Sequence, residues 1–369
     1  MKFYLLAGEA SGDLHGANLI RALKSADPEA DFRYFGGDKM AAEGGSLSKH
    51  ISELAFMGFV EVLVNLRTIF KNMSFARQDI LDYKPDALIL IDFPGFNLKI
   101  AEFAKKNGIR VFYYISPKVW AWNQKRVLKI RKVVDHMFCI LPFEVGFYRD
   151  WGMDVDYIGN PLMDAIEAHA PDPKFLQNNQ LSSRPIVALL PGSRKQEVER
   201  MLPVMVRTAA LFPGYQFVVA GAPNFEAAYY QRFLNGQDFP VVFHATYDLL
   251  KHSRAAIVAS GTATLETALL NTPQVVVYKA APISIAIARL VVKIRFISLV
   301  NLIMDREVVK ELIQSECNSE TIAKELNRLL PEVPDRRKML NDYRELAERV
   351  GPAGASGRAA HLIMGYLGR

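Results

Sequence analysis

"KFYLLAGEASGD" (residues 2–13) decides the reading of the fold. An apolar run with the length of a buried strand passes straight into Gly-Glu-Ala-Ser-Gly-Asp, and a helical pattern follows to about residue 25. A short strand closed by glycine and followed at once by a helix start is the strand-to-helix turn of a parallel sheet. Gly8 and Gly12 would let the chain turn sharply, and Ser11 reads as the helix N-cap. Glu9 is then left at the mouth of the turn, facing a ligand.

The pattern repeats outward from there. "DFRYFGG", "ALILID", "IRVFYYIS", "HMFCIL" and "DVDYIGN" read as further strands, with helices between them and a long helical region near 53–83. Near 164–184 the alternation lapses into a polar, proline-containing stretch that reads as a linker or a short first helix. A second series begins at "PIVALLPGSR" (185–194) and runs through "YQFVVAG", "VVFHA", "AAIVASGT" and "PQVVVY". After Pro282 the chain reads as mostly helical to its end. These elements predict an α/β protein of two Rossmann-like, doubly wound domains with a ligand in the crevice between them. The first would span 1–163, completed by C-terminal helices of 335–369, and the second 164–334. GT-B glycosyltransferases share this architecture, which by itself does not fix an activity.

Composition narrows the class. With 369 residues and 50% hydrophobic content, the chain can bury two cores. Cys139 and Cys317 are its two cysteines, with no C-x-x-C spacing, so neither a disulfide framework nor a zinc site is expected. The apolar N-terminal run is too short for a signal peptide, and no window approaches the ~20 apolar residues of a membrane span. A cytoplasmic protein is expected, free or adhering to a membrane surface. The net charge of +6 is unevenly spread: nine Lys/Arg and no acid lie between Phe103 and Val134. Such a run is either a set of solvated helix faces or a surface for phosphates.

Strand ends carry the candidate chemistry. In "LLPGSRKQEVER" (189–200) a helix start and Arg194 could receive a phosphate, or Ser193 could simply cap the helix. In "VASGTATLETALL" (258–270), Ser260, Gly261 and Thr262 open a helix with Glu266 one turn in. Exposed N–H groups suit a diphosphate and the carboxylate suits ribose hydroxyls; ordinary capping is the competing reading. There is no Walker loop and no G-x-G-x-x-G, which disfavours a nicotinamide cofactor. Asp92 ends the strand of "LILIDFPGFN" (88–97), where it could take a proton from a substrate hydroxyl or cap the turn. "YYISPKVWAWNQKR" (113–126) sets Ser116, Lys118, Trp120 and Trp122 at another strand end. Aromatic platforms beside cations suit a sugar phosphate, and one of the tryptophans reads as core. His15, His136 and His244 read as structural.

"GEASGD", "FMGFVEVL", "IDFPGFN", "ISPKVWAWNQKR", "LPFE", "IGNPL", "LLPGSR", "SGTATLE" and "REVVKELIQ" occur in that order. As a set they resemble the lipid-A-disaccharide synthase family, over residues 5 to 316. The resemblance implies the GT-B fold. It also implies an inverting transfer from UDP-2,3-diacylglucosamine to 2,3-diacylglucosamine 1-phosphate (lipid X), giving the β-1,6-linked disaccharide 1-phosphate and UDP. Carried over by position, it makes Asp92 the base and puts Arg194, Ser260, Gly261, Thr262, Glu266 and Asn301 at the UDP donor. Gly8, Glu9, Ser11, Asn97, Ser116, Lys118 and Trp120 would form the acceptor side. Asn301 sits in Val-Asn where the family has Pro-Asn, and "IMDR" (303–306) replaces a usual Gly-Arg ending, so its role is left open. No metal, no other cofactor and no nucleic-acid partner is implied. The acylated substrates imply peripheral attachment to the anionic cytoplasmic face of the inner membrane of a Gram-negative bacterium, through 56–75 or 283–296. The family also implies a homodimer through C-terminal helices. Competing readings are another UDP-sugar GT-B enzyme (a peptidoglycan N-acetylglucosaminyltransferase or a UDP-sugar 2-epimerase) and a non-catalytic nucleotide-sugar sensor on the membrane.

Overall fold

The computed structural model describes residues 1–54, 66–234, 236, 239–281, 294–330 and 333–368. The chain divides into two units, Met1–Asp164 with Ala353–Arg369, and Ala165–Pro352. Each is built on one parallel sheet.

In the first unit seven strands run in the order β3-β2-β1-β4-β5-β6-β7. They are β1 (Lys2–Ala7), β2 (Asp31–Gly36), β3 (Ser46–His50), β4 (Ala87–Ile91), β5 (Arg110–Tyr114), β6 (His136–Cys139) and β7 (Asp156–Tyr157). Alternate residues of each strand serve opposite faces, because side chains switch side at every step. Tyr4, Leu6, Leu88, Leu90, Val111 and Tyr113 pack under the helices Leu66–Tyr83, Pro94–Lys106, Val127–Val133 and Pro142–Asp150. Phe3, Leu5, Ile89, Ile91, Phe112 and Tyr114 pack under Ala10–Ala26 and Ala355–Tyr366. All five residues of β4 are buried, and each Leu or Ile among them contributes about 1.5–3 kcal/mol.

The second unit orders six strands β10-β9-β8-β11-β12-β13. These are β8 (Ile186–Leu190), β9 (Gln216–Gly221), β10 (Val241–Phe243), β11 (Ser253–Ala259), β12 (Gln274–Tyr278) and β13 (Lys310–Ile313). In both sheets the chain starts centrally, winds to one edge, then crosses to the other. The switch point lies between β1 and β4 in one unit and between β8 and β11 in the other. A doubly wound sheet opens a crevice at that point, beyond the carboxyl ends of the strands.

The sequence reading misses one edge strand of each sheet, β3 ("SLSKH") and β13 ("KELI"), the second inside a stretch read as helical. Both are short and polar, as befits strands paired on one side only. The C-terminal boundary also moves. The sequence predicts 335–369 in the first unit, but the helix Pro334–Val350 belongs to the second. Arg306 holds it there through Asp342 (2.8 Å) and Glu345 (2.6 Å), and Gln274 Nε2 donates to Tyr343 Oη at 3.3 Å. Gly351 and Gly354, both with positive φ, break the chain after it. Ala355–Tyr366 alone returns to the first unit. Its start is tied to the Asp164 carboxylate by the Gly354 and Ala355 N–H groups, and His136 stacks on Tyr366 at 3.6 Å.

Candidate active site

The predicted motifs gather at the two switch points. β1 pairs with β4 through Ala7 and Ile91, so "GEASGD" and "IDFPGFN" leave adjacent strands side by side. β8 pairs with β11 through Leu190 and Val258, so "LLPGSR" and "SGTATLE" do the same in the second unit.

In the first unit Asp92 and Phe93 adopt left-handed backbone conformations in succession, φ +43° and +48°. Ile115, at the end of neighbouring β5, has φ +66°. Each such non-glycine residue costs on the order of 1–3 kcal/mol, and these outliers cluster at functional sites. The Phe93 ring lies directly over Gly8, where an added Cβ would collide with it. Gly8 therefore matters for close approach rather than for the sharp turn read from sequence. Burial pushes the Asp92 carboxyl above the ordinary aspartate range; Lys118 pulls it back and Glu9 adds to the rise. These directions place Asp92 in the field of both Glu9 and Lys118. Glu9, Ser11 and Lys118 are exposed.

Several predicted residues play other parts. Ser11 is not the N-cap: Glu9 takes that position with extended backbone and makes no side-chain cap bond. The helix begins one residue before Ser11, at Ala10. Asp13, the last residue of "GEASGD", accepts the N–H groups of Gly37 (2.7 Å), Lys39 (3.1 Å) and Met40 (3.0 Å) and fastens the turn after β2. Asn97 is fully buried, and its amide donates to the Asp92 carbonyl at 2.8 Å. Ser116 is buried with its hydroxyl against Tyr148 Oη (2.9 Å). Trp120 is also buried, and its Nε1 donates to Glu144 Oε1 at 3.1 Å. The acceptor-side set thus splits. Glu9, Ser11 and Lys118 face solvent, while Asn97, Ser116 and Trp120 form the frame behind. Trp122 is the exposed tryptophan, with Arg126 4.8 Å from its ring centre.

Glu144, the last residue of "LPFE", is a working group that its local pattern does not single out. It also accepts the Leu141 N–H (3.0 Å), and burial drives its carboxyl up to about 7. Much of the acid-free run proves internally engaged. Glu102 pairs with Lys106 (3.3 Å) and Lys129 (3.2 Å), Lys105 pairs with Asp135, and Arg110 and Arg131 donate to backbone carbonyls.

In the second unit Gly192 holds the left-handed position, φ +102°. Arg194 is the N-cap of Lys195–Ala209 and is exposed, with Glu197 at 3.7 Å. Glu197 Oε2 accepts the N–H groups of Ser193 (3.1 Å) and Arg194 (3.2 Å). A side chain of the protein thus already serves two of the donors read as a phosphate cradle, and the Arg194 guanidinium is the better candidate for an anion. At the other loop, Gly261 caps Thr262–Leu269 with extended backbone and no side-chain cap bond. Gly261 and Thr262 are exposed. Ser260 Oγ donates to the Ile297 carbonyl (2.9 Å). Glu266, half-buried, accepts from Tyr247 Oη (2.9 Å); burial raises its carboxyl and that bond opposes the rise.

Asn301 turns inward. It is fully buried, and its amide donates to the Val309 carbonyl and Glu311 Oε1, both at 2.9 Å. Its Oδ1 accepts from Val308 (2.8 Å) and Val309 (3.0 Å). Glu311, not singled out from sequence, also accepts the N–H groups of Ile297 and Ser298. Asn301 and Glu311 therefore brace the segment on which Ser260 rests. Among the described residues no three His, Cys, Asp or Glu side chains gather as metal ligands.

The family model described as lipid-A-disaccharide synthetase matches residues 3–359. The lipid-A-disaccharide synthase of Trichlorobacter lovleyi is 40% identical over 98% of this chain and 97% of its own. That of Syntrophus aciditrophicus is 42% identical, covering 98% and 96%. Among solved structures, a putative UDP-N-acetylglucosamine 2-epimerase from Listeria monocytogenes superposes with a TM-score of 0.66 at 13% identity, over 98% of this chain and 94% of that one. The glycotransferase of kitacinnamycin gives 0.67 at 15%, over 99% of each chain. Likeness at such identity shows the fold alone, and that fold is GT-B: two Rossmann-like domains in one chain.

Proposed function

Because the chain belongs to the lipid-A-disaccharide synthase family, and is thus a glycosyltransferase of lipid A biosynthesis, we propose that it joins two acylated glucosamines by a single displacement. UDP-2,3-diacylglucosamine is the donor and 2,3-diacylglucosamine 1-phosphate the acceptor. Asp92 removes the proton from the acceptor 6-hydroxyl as that oxygen attacks the anomeric carbon from the face opposite UDP, and the configuration inverts. The observation that carries this reading is Asp92 itself: a carboxylate held in a strained turn at a switch point, its proton affinity raised by burial. A general base works best with a pKa moved toward the working pH.

The second unit takes the nucleotide. Arg194 and the open start of Thr262–Leu269 meet the diphosphate, and Glu266 meets the ribose. Ser260 supports that loop through Ile297 rather than through direct contact alone. Positive groups of the chain itself neutralise the departing UDP, so no metal requirement is expected.

For membrane attachment, Leu66–Tyr83 exposes Phe70 and Phe75, with Lys99 and Lys49 lying 5.5 and 5.6 Å from their ring centres. Aromatic residues flanked by cations suit an anionic interface. The rest of the first candidate segment (56–65) and most of the second (283–293, with Arg289 and Lys293) lie outside the described residues. No helix among the described residues is long and apolar enough to cross a membrane.

UDP release from the diacylated donor, measured with and without acceptor, tests the proposal. Release that needs both substrates and survives EDTA is expected; release without acceptor would overturn the transfer. Sedimentation with anionic vesicles should fall as salt rises.

A further inference from the structure

Two successive non-glycine residues in the left-handed region do not hold themselves there; neighbouring groups must over-determine the turn. At Asp92 those groups can be named. Its N–H points to the Tyr114 carbonyl at 3.4 Å, a weak continuation of the sheet. Its carbonyl receives two side-chain donors, Tyr113 Oη at 2.6 Å and Asn97 Nδ2 at 2.8 Å. Asn97 Nδ2 also lies 3.3 Å from the carbonyls of Leu6 and Ile91, at the carboxyl ends of β1 and β4. Both side chains are fully buried. The Phe93 ring, lodged over Gly8 and 5.8 Å from Phe96, closes the turn from the other side.

We propose that Tyr113, acting with Asn97, is a positioning residue for the transfer reaction: its hydroxyl anchors the Asp92 carbonyl and so fixes the left-handed turn that aims the Asp92 carboxylate. This rests on the reading of Asp92 as the base. The Asp92 side chain is bonded to the same Cα whose backbone Tyr113 fixes. Without the phenol, Asp92 can relax to an ordinary right-handed or extended backbone. The carboxylate then swings away from its buried setting, where Glu9 and Lys118 act on it. The hydroxyl is bonded to the Asp92 carbonyl within its own unit, so nucleotide affinity should be unchanged.

The test compares Tyr113→Phe with Tyr34→Phe. Tyr34 Oη is a buried donor in the same unit, bonded to the carbonyls of Met40 and Gly44 at 3.2 and 3.3 Å, away from Asp92. Tyr113→Phe should lower kcat by about tenfold or more, since misplacing a catalytic group by an ångström costs up to about a hundredfold. KM for the donor should stay unchanged. The acid limb of the pH–kcat profile should move to lower pH, as the carboxyl returns toward the ordinary aspartate range. Tyr34→Phe should change thermal stability without moving that limb. In an Asp92→Asn background, removing the Tyr113 hydroxyl should cost nothing further.

An unchanged kcat and acid limb in Tyr113→Phe, beside a large loss in Asp92→Asn, overturns the positioning role and leaves the base intact. Equal behaviour of the two Tyr→Phe variants overturns it as well, reducing Tyr113 to a stability element. Full turnover in Asp92→Asn removes the base and this proposal together.

Discussion

At the switch point of the first unit the left-handed positions are occupied by Asp92 and Phe93; at that of the second, Gly192 takes the left-handed position and Gly261 is extended. The strand order on either side is the same. The difference follows from what each loop presents. Glycine adopts a left-handed turn without a Cβ penalty, but it offers only backbone N–H groups, which is enough for an anion. Under the proposed transfer, proton removal needs a side chain at the turn, and the strained residue there carries one, held by Tyr113, Asn97 and the buried strands below. Glu197 extends the contrast. The second unit spends a carboxylate on capping its helix, whereas the first keeps Glu9 and Asp92 beside the site.

The largest expected effect tests whether the first loop is the chemical one. Asp92→Asn keeps the shape of the side chain and loses its basicity. General-base catalysis is worth about 10²- to 10⁴-fold, so turnover should drop by that order while UDP affinity, read by calorimetry, holds. A loss of affinity with turnover preserved would reverse the division of labour between the two loops.

Next comes the buried charge behind the first loop. Glu144 binds its proton more tightly in the folded protein, near pH 7, than at its ordinary value of 4.5. Protonation therefore favours folding. The stabilisation is fully present below pH 4.5 and is lost as pH rises through 7. A shift of that size corresponds to on the order of 3 kcal/mol. Denaturant unfolding of wild type and Glu144→Gln between pH 4.5 and 8 should show wild type losing ground to the variant by about that amount. Parallel curves would mean that Glu144 is ionised throughout, satisfied by its bonds to Trp120 and Leu141.

How much of this contrast was legible in the sequence follows from the range of the interactions. Buried strands such as Ala87–Ile91 announce themselves by composition, and the glycine-bearing turns that follow them are local, so the motifs at both switch points could be found. β3 and β13 could not, because a polar edge strand is defined by its partner rather than by its own residues. The same limit explains the site residues whose roles changed. Trp120 looked like a sugar platform until Glu144, 24 positions on, claimed its N–H. Asn301 likewise has its amide engaged by Glu311 and the backbone of 308–309, partners that no local motif reveals. Ser11 lost its cap to Glu9 by two residues, a boundary that composition does not resolve.

Glycine substitutions sharpen the contrast on a smaller scale. Gly8→Ala would drive a methyl group into the Phe93 ring. Overpacking of this kind costs about 1–3 kcal/mol, and here the displaced ring belongs to the residue after Asp92. Stability and turnover should fall together, with UDP affinity unchanged. If turnover persists despite the lower melting temperature, the Phe93 contact is packing alone.

Glu266 separates recognition from catalysis. Glu266→Ala should weaken UDP binding about tenfold, the scale of one hydrogen bond to a charged group. Turnover at saturating donor should be largely kept. Unchanged affinity would remove the ribose role and leave Glu266 as the partner of Tyr247.

The smallest expected change falls on Gly261. An added Cβ there meets nothing within 4 Å, and the backbone is extended, so Gly261→Ala should shift stability by less than about 0.5 kcal/mol. The protein itself therefore gives no reason for glycine at this position. If the loop cradles a diphosphate, the reason is the ligand: a methyl group would stand where phosphate oxygens approach the backbone. UDP affinity should then fall in a variant whose melting temperature does not. If affinity and stability are both preserved, the diphosphate does not approach this helix start, and Arg194 becomes the main contact for the leaving group.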